Sequence, residues 1–332
     1  MRNGKNLLIA ALVVVIIAVL GFHFVSGRDA DPDPTGPTAG DATNTGDVRS
    51  EQSGTLEIPG RVTLEPTTLP VLDADQKYLI ELSIRAEKPE DSPGRATYFG
   101  YTLSCGLSDS DSRTISVGGT ENLVNGKTAT LSAAALLPGA EGGEYSCRAV
   151  VANDYEGVAS AGSKVPFTAE WTATPVLADS EWVDVDEALP AVVEPGTSVD
   201  LYRGHIPLQE DGREETSVIA NIHSTTCTTV SGSNEDGRPW CDEATLDDGG
   251  SEAEFSIHLG RSGDPTSCSS EVRNVAQIDG LVHHYVASIS HELASDPRCE
   301  GEVSLRVSVQ NDGPAPLVLH RQNTEILIVH RG

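Results

Sequence analysis

From about residue 56 onward, apolar residues recur at every second position, and this period of two limits the chain to strands packed in layers. Successive side chains of a strand leave on opposite sides of the sheet, so alternation gives one dry face and one wet face. In residues 98–105, Phe99, Tyr101, Leu103 and Cys105 share a face, while Gly100, Thr102 and Ser104 take the other. Tyr145, Cys147, Ala149 and Val151 make a second stripe, and Val165, Phe167, Ala169, Trp171 and Ala173 a third. Further strands are expected at 217–226, 253–259, 282–290, 303–309 and 325–330. No segment after residue 27 carries a long helical period. The pattern predicts an all-β fold with two β-sandwich domains, residues 56–176 and 177–332. An acidic, proline-containing stretch at 175–195 is expected to separate them.

The chain holds six cysteines, Cys105, Cys147, Cys227, Cys241, Cys268 and Cys299. An even number in an exported chain points to disulfides. Two fall in the first domain and four in the second, and neighbouring cysteines close most easily. The expected pairs are therefore Cys105–Cys147, Cys227–Cys241 and Cys268–Cys299. Cys105 and Cys147 both face the core, as a bridge across a sandwich requires. Closing a loop of about forty residues is worth about 4 kcal/mol in the loop-entropy model. Zinc would need tight pairs such as C-x-x-C, and the sequence has none.

Gly143-Glu144-Tyr145-Ser146-Cys147 resembles the Tyr-x-Cys corner of immunoglobulin-like domains. The resemblance covers five residues and lacks the Trp expected between the two cysteines. It implies an immunoglobulin-like sandwich in outline only.

Ahead of the strands lies an apolar run at residues 7–25, interrupted by Gly21 and His23. As a helix it would rise about 28 Å, close to the hydrocarbon thickness of a bilayer. Arg2 and Lys5 precede it, and Asp29, Asp31 and Asp33 follow. The positive-inside rule then leaves the N-terminus in the cytoplasm and the remainder outside. Residues 1–27 are thus expected to be a signal-anchor or transmembrane segment in the cell membrane. Cleavage near Val25-Ser26-Gly27, giving a secreted protein, is the alternative. Residues 28–55 are rich in Asp, Thr, Pro and Gly, with almost no large apolar side chain. They are expected to form a flexible linker.

A formal charge of −28 argues against nucleic acid as a partner, since phosphates demand Lys and Arg. Charge is densest in the loop at 234–254, which holds Asp236 and Asp242 beside Trp240. These three are the candidate contact residues. Calcium is the one ion such hard oxygen donors would suit, but the spacing matches no EF-hand, so no cofactor is expected. Gly126-Lys127-Thr128 ends like a phosphate-binding loop, yet Glu121 stands where its first glycine should be. A turn leading into a strand explains it better. His283 and His284 lie on the expected strand 282–290, and His291 follows directly after it. There His283 and His284 face opposite ways, and His291 lies about 26 Å from His283. They are expected to be surface or edge residues.

No nucleophile elbow or zinc-protease motif occurs. The preferred reading is a membrane-anchored extracytoplasmic binding or scaffolding protein of a bacterial cell envelope, without catalysis. Its partner would be a protein or a surface polymer. A hydrolase with a site built from distant residues is one alternative. A self-assembling envelope component is another, with residues 325–330 as its exposed edge strand.

Overall fold

The computed structural model describes residues 47–332 except 74, 108–113, 139–143, 155–159, 208–214, 227–229, 234–238, 242–249, 261–268, 279–283 and 295–301. The side chains at 207, 230–233, 239–241 and 294 also lie outside the description. The described residues contain no helix and belong to one compact unit.

Nine strands build the first half: β1 (Val48–Glu57), β2 (Gly60–Thr63), β3 (Thr67–Leu69), β4 (Gln76–Glu87), β5 (Ala96–Leu107), β6 (Thr114–Val124), β7 (Thr128–Pro138), β8 (Tyr145–Asn153) and β9 (Lys164–Leu177). They form two antiparallel sheets, β1-β9-β4-β7 and β2-β8-β5-β6, with β3 also pairing β8. The three sequence stripes meet between these sheets. Phe99 from one and Phe167 from the other pack edge to face, with ring centroids 6.2 Å apart, and Leu82, Leu103, Val151 and Trp171 surround them. Burying one such aromatic or leucine side chain stabilises by about 1.5–3 kcal/mol. Gly119 lets this core close, because a Cβ there would stand 2.5 Å from the Tyr101 hydroxyl.

The second half contains β10 (Glu181–Val183), β11 (Ala191–Val193), β12 (Thr197–Pro207), β13 (Glu215–Thr226), β14 (Val230–Ser233), β15 (Pro239–Cys241), β16 (Ser251–Gly260), β17 (Ser270–Ile278), β18 (His284–Ala294), β19 (Glu302–Asn311), β20 (Leu317–Leu319) and β21 (Glu325–Arg331). One sheet runs β10-β21-β13-β20-β11, with β18 on the other edge of β13; a second runs β12-β19-β16-β17. β14 and β15 form a two-stranded ribbon. Val303, Leu305, Val307 and Val309 face Val218, Ala220, Ile222, Ile326 and Ile328 across the core between the two larger sheets.

Four expectations change. The Cys105–Cys147 bridge forms, but within a sheet rather than across the sandwich. Cys105 and Cys147 are direct cross-strand partners on β5 and β8, with Cα atoms 4.0 Å apart. Facing the core is not enough to reach the opposite sheet about 10 Å away. Residues 175–195 are not a spacer. β9 ends there, β10 and β11 pair with β21 and β20, and Val183, Val185, Leu189 and Val193 enter the second core. The acidic residues between them mask an apolar one at intervals. β21 is not an exposed edge, because it lies between β10 and β13 and is buried along its middle. The chain also joins its first sheet at Val48, inside the segment expected to be linker. Ten consecutive pairings with β9 hold it there, from Val48 against Ala173 to Glu57 against Lys164. Backbone pairing needs no apolar side chain, so composition gave no warning.

The expected anchor, most of the linker, Cys227, Cys268, Cys299 and His283 lie outside the described residues, as do the side chains of Trp240, Cys241, Asp236 and Asp242. Among the described residues no helix is long and apolar enough to cross a membrane.

Candidate functional site

Chemistry gathers where the two halves meet. On β4 the alternation breaks, and Tyr78, Leu79 and Ile80 are all buried. Leu79 leaves the first core and joins Ala134, Leu136 and Val176 on the outer face of their sheet. These pack on Ile219, Leu327 and Val329 of the second half. β13 and β21 carry unbroken apolar runs because one face of each fills the second core and the other fills this junction.

Polar groups take over beside that strip. Glu121 reaches from β6 to accept the Val286 N–H of β18, and Glu325 reaches back from β21 to accept the Ala134 N–H of β7. Asn221 donates to Glu325 at 3.3 Å, and the His284 N–H donates to Asn122 at 2.8 Å. The halves are therefore joined by reciprocal bonds between side chains of one and the backbone of the other, at Glu121, Asn122 and Glu325. Burial pushes the Glu121 carboxyl up to about 8, countered by its bond to Val286. Burial likewise lifts Glu325 to about 7, countered by Asn221 and Ala134. Tyr285 is pushed up to about 12 by burial and then by Glu121. Tyr101, whose hydroxyl donates to the Ser132 carbonyl at 2.6 Å, is raised well above its ordinary value by burial, Glu121 and Glu325.

Three histidines extend this seam. The rings of His223 and His320 lie 4.7 Å apart, and those of His223 and His284 stack at 5.4 Å. His223 Nδ1 lies 3.0 Å from the Gln322 carbonyl, which can only accept, so that nitrogen carries the proton. In the neutral ring, His223 Nε2 then accepts from His284 Nδ1 at 3.2 Å. Tyr98 of the first half meets the edge of His284. Stacked rings do not converge their lone pairs on one ion. Among the described residues no group of three or more His, Cys, Asp or Glu side chains could hold a metal.

Next to the apolar strip lies a half-open cleft of about 250 Å³ between the halves. Glu81, Ser83, Ser132, Glu170 and Thr172 line it from the first half, and Ile219, Asn221 and Ser288 from the second. Glu81 sits opposite Thr172, and Ser83 opposite Glu170, so both carboxylates share one sheet face. Burial raises the Glu81 carboxyl, and Arg331 partly counters this. Glu170 is bridged by Arg49 at 2.6 Å. Such a wall suits a ligand rich in hydrogen-bond donors.

His284 differs from its sequence reading. It does lie on an edge strand, β18, but it is half-buried in the junction rather than on the surface, because His223 stacks on it and the His320 ring lies 6.5 Å away. His291 lies seven positions along the same strand, bonded to Ser270 at 2.8 Å, and takes no part in the cluster. Gly126 does make the expected turn, with φ of 71°, and β7 starts at Thr128. Glu121, weighed in the sequence only as a departure from the phosphate-binding loop, is a buried junction group. The exposed Trp182 of β10 was also missed; it shares a cross-strand row with Leu327 and Ile219.

No protein-family model matches the sequence, and no curated protein matches it. Solved structures give loose overlays. One is the N-terminal CBM22-1–CBM22-2 tandem domain of Xyn10C from Paenibacillus barcinonensis, at 10% identity and a TM-score of 0.24, covering 86% of this chain and 94% of that one. Another is PNGF-II, at 9% identity and a TM-score of 0.32, covering 80% and 59%. Tripeptidyl peptidase 2 overlays at 9% identity and a TM-score of 0.28, covering 88% and 27%. Overlays this loose carry no argument about what the chain binds.

Proposed function

We propose that this chain is an extracytoplasmic binding or scaffolding protein of a bacterial cell envelope, held at the membrane by residues 7–25 and engaging its partner through the cleft between its two halves. The observation that carries the binding reading is that cleft, with acceptor groups contributed by both halves and Trp182 exposed on the same sheet as its roof. Export is supported by the Cys105–Cys147 bridge, since such bonds persist in oxidising compartments. Basic residues before the apolar run and acidic ones after it support the orientation. Sandwiches of immunoglobulin-like outline would supply the rigid scaffold.

The test is a photo-activated cross-linker placed at position 83 of the full chain in intact cells. A specific protein or polymer should be captured, and Ser132→Trp, which fills the cleft, should abolish capture. A whole chain recovered in the cytosol with free thiols would sink the reading.

One observation favours a second reading, an anchored hydrolase: Glu81, a carboxyl raised by burial, shares a face with Glu170. Two carboxyls facing one cleft can serve as acid and base. Turnover of an envelope polymer that Glu81→Gln abolishes while capture persists would establish it.

A further inference from the structure

A second site lies on the outer face of the sheet β12-β19-β16-β17, away from the junction cleft. Arg203 on β12 is the direct cross-strand partner of Arg306 on β19, and Arg306 is the partner of His258 on β16. The neighbouring row brings His205 opposite Ser304. Five side chains of these two rows, Arg203, Arg306, His258, His205 and Ser304, line a hollow of about 360 Å³.

Like charges placed directly opposite each other on a sheet are destabilising. Here two guanidinium groups meet in that way, and a β-bulge supplies their one shared counter-charge. The register of β12 slips between Asp200 and Tyr202, so Leu201 and Tyr202 both turn toward the core while Asp200 and Arg203 stay outside. One oxygen of Asp200 accepts from Nε of Arg306 at 2.5 Å, and the other accepts from Nε of Arg203. Both bonds use Nε. The terminal Nη groups of the two arginines have no protein acceptor among the described residues.

Of the acidic residues nearby, Glu302 stands exposed one row beyond Ser304, opposite Pro207, while Glu271 and Glu254 are engaged. Glu271, opposite His258 on β17, is held by Arg273 at 2.6 Å, and Arg273 also bonds Glu254 at 3.1 Å. Asp200 thus leaves one net positive charge on the two arginines it bridges, with two imidazoles beside them. This stands on a chain whose net charge is −28. Elsewhere that charge repels anions.

We infer that this hollow binds an oxyanion group (phosphate, sulfate or carboxylate) with Arg203 and Arg306 as the paired donors. Guanidinium groups meet such oxygens through two parallel N–H bonds, and Asp200 fixes both side chains beforehand. His205 and His258 each add a ring nitrogen. The group comes from a small free anion or from an anionic polymer of the envelope, and the chemistry at the arginines is the same.

The test is titration of the full chain with inorganic phosphate, inorganic sulfate and short-chain polyphosphate, followed by calorimetry at low and high salt. All three should bind, more weakly as salt rises. Polyphosphate binding at least about tenfold tighter per group than phosphate assigns the polymer, and equal affinity per group assigns the free anion. Arg203→Gln with Arg306→Gln should weaken binding by about tenfold or more. Asp200→Asn removes the counter-charge but keeps an amide oxygen to accept from one arginine, so it should strengthen binding, a gain that misfolding cannot produce. Binding that the double variant leaves unchanged, or no binding of any of the three anions, overturns the proposal. The cross-linking result at the junction cleft is independent of either outcome.

Discussion

Glu121 shows how much one buried carboxyl can set. Unfolded, it titrates near 4.5, whereas in the junction it keeps its proton up to about 8; Glu325 does so up to about 7. Between those values the folded state binds more protons than the unfolded one, so stability falls as pH rises. The contribution is complete below about 4.5 and lost once pH has passed about 8. Urea unfolding at pH 5, 7 and 9 should give a declining stability, and Glu121→Gln with Glu325→Gln should flatten that decline. A stability that rises with pH over this range would contradict the account. At the same scale, removing both Cys105 and Cys147 should cost about 2–5 kcal/mol, read as a lower denaturation midpoint.

Among elements, the segment from 178 to 195 is the sharpest test. A spacer would tolerate changes, but Leu189 is buried in the second core. Leu189→Ala should therefore cost about 2–5 kcal/mol, measured by chemical unfolding. Strand β1 illustrates the opposite case. Its side chains alternate between exposed and half-buried, with Leu56 alone fully buried, and it is held mainly by pairing along β9. Its amides should be protected from hydrogen exchange despite a linker-like composition, and full exchange within seconds would remove β1 from the sheet. The alternating stripes of β5, β8 and β9 could be read from sequence because each strand has one wet face. β13 and β21 carried a different signal, apolar residues at consecutive positions in Val218-Ile219-Ala220 and Ile326-Leu327-Ile328-Val329. Such runs mark strands covered on both faces, and they could have argued against β21 as an edge.

For the whole molecule, the junction decides whether the two halves behave as one body. Leu327 meets the first half through an apolar strip that one charge would spoil. Leu327→Asp should split a single calorimetric transition into two, one for each half; a single transition at unchanged enthalpy would mean the strip does not couple them. What the sequence determined by itself is local: strands with a wet and a dry face, a cysteine pair turned inward, and turns such as the one at Gly126. These depend on neighbours two to four residues apart, so a one-dimensional pattern records them. Tertiary structure alone decided that Cys105 and Cys147 sit side by side in one sheet. It alone brought His223, His284 and His320 into a stack and set Arg203 opposite Arg306. Such meetings depend on strand register and layer stacking, where shifting one strand by a single residue turns every side chain to the other face.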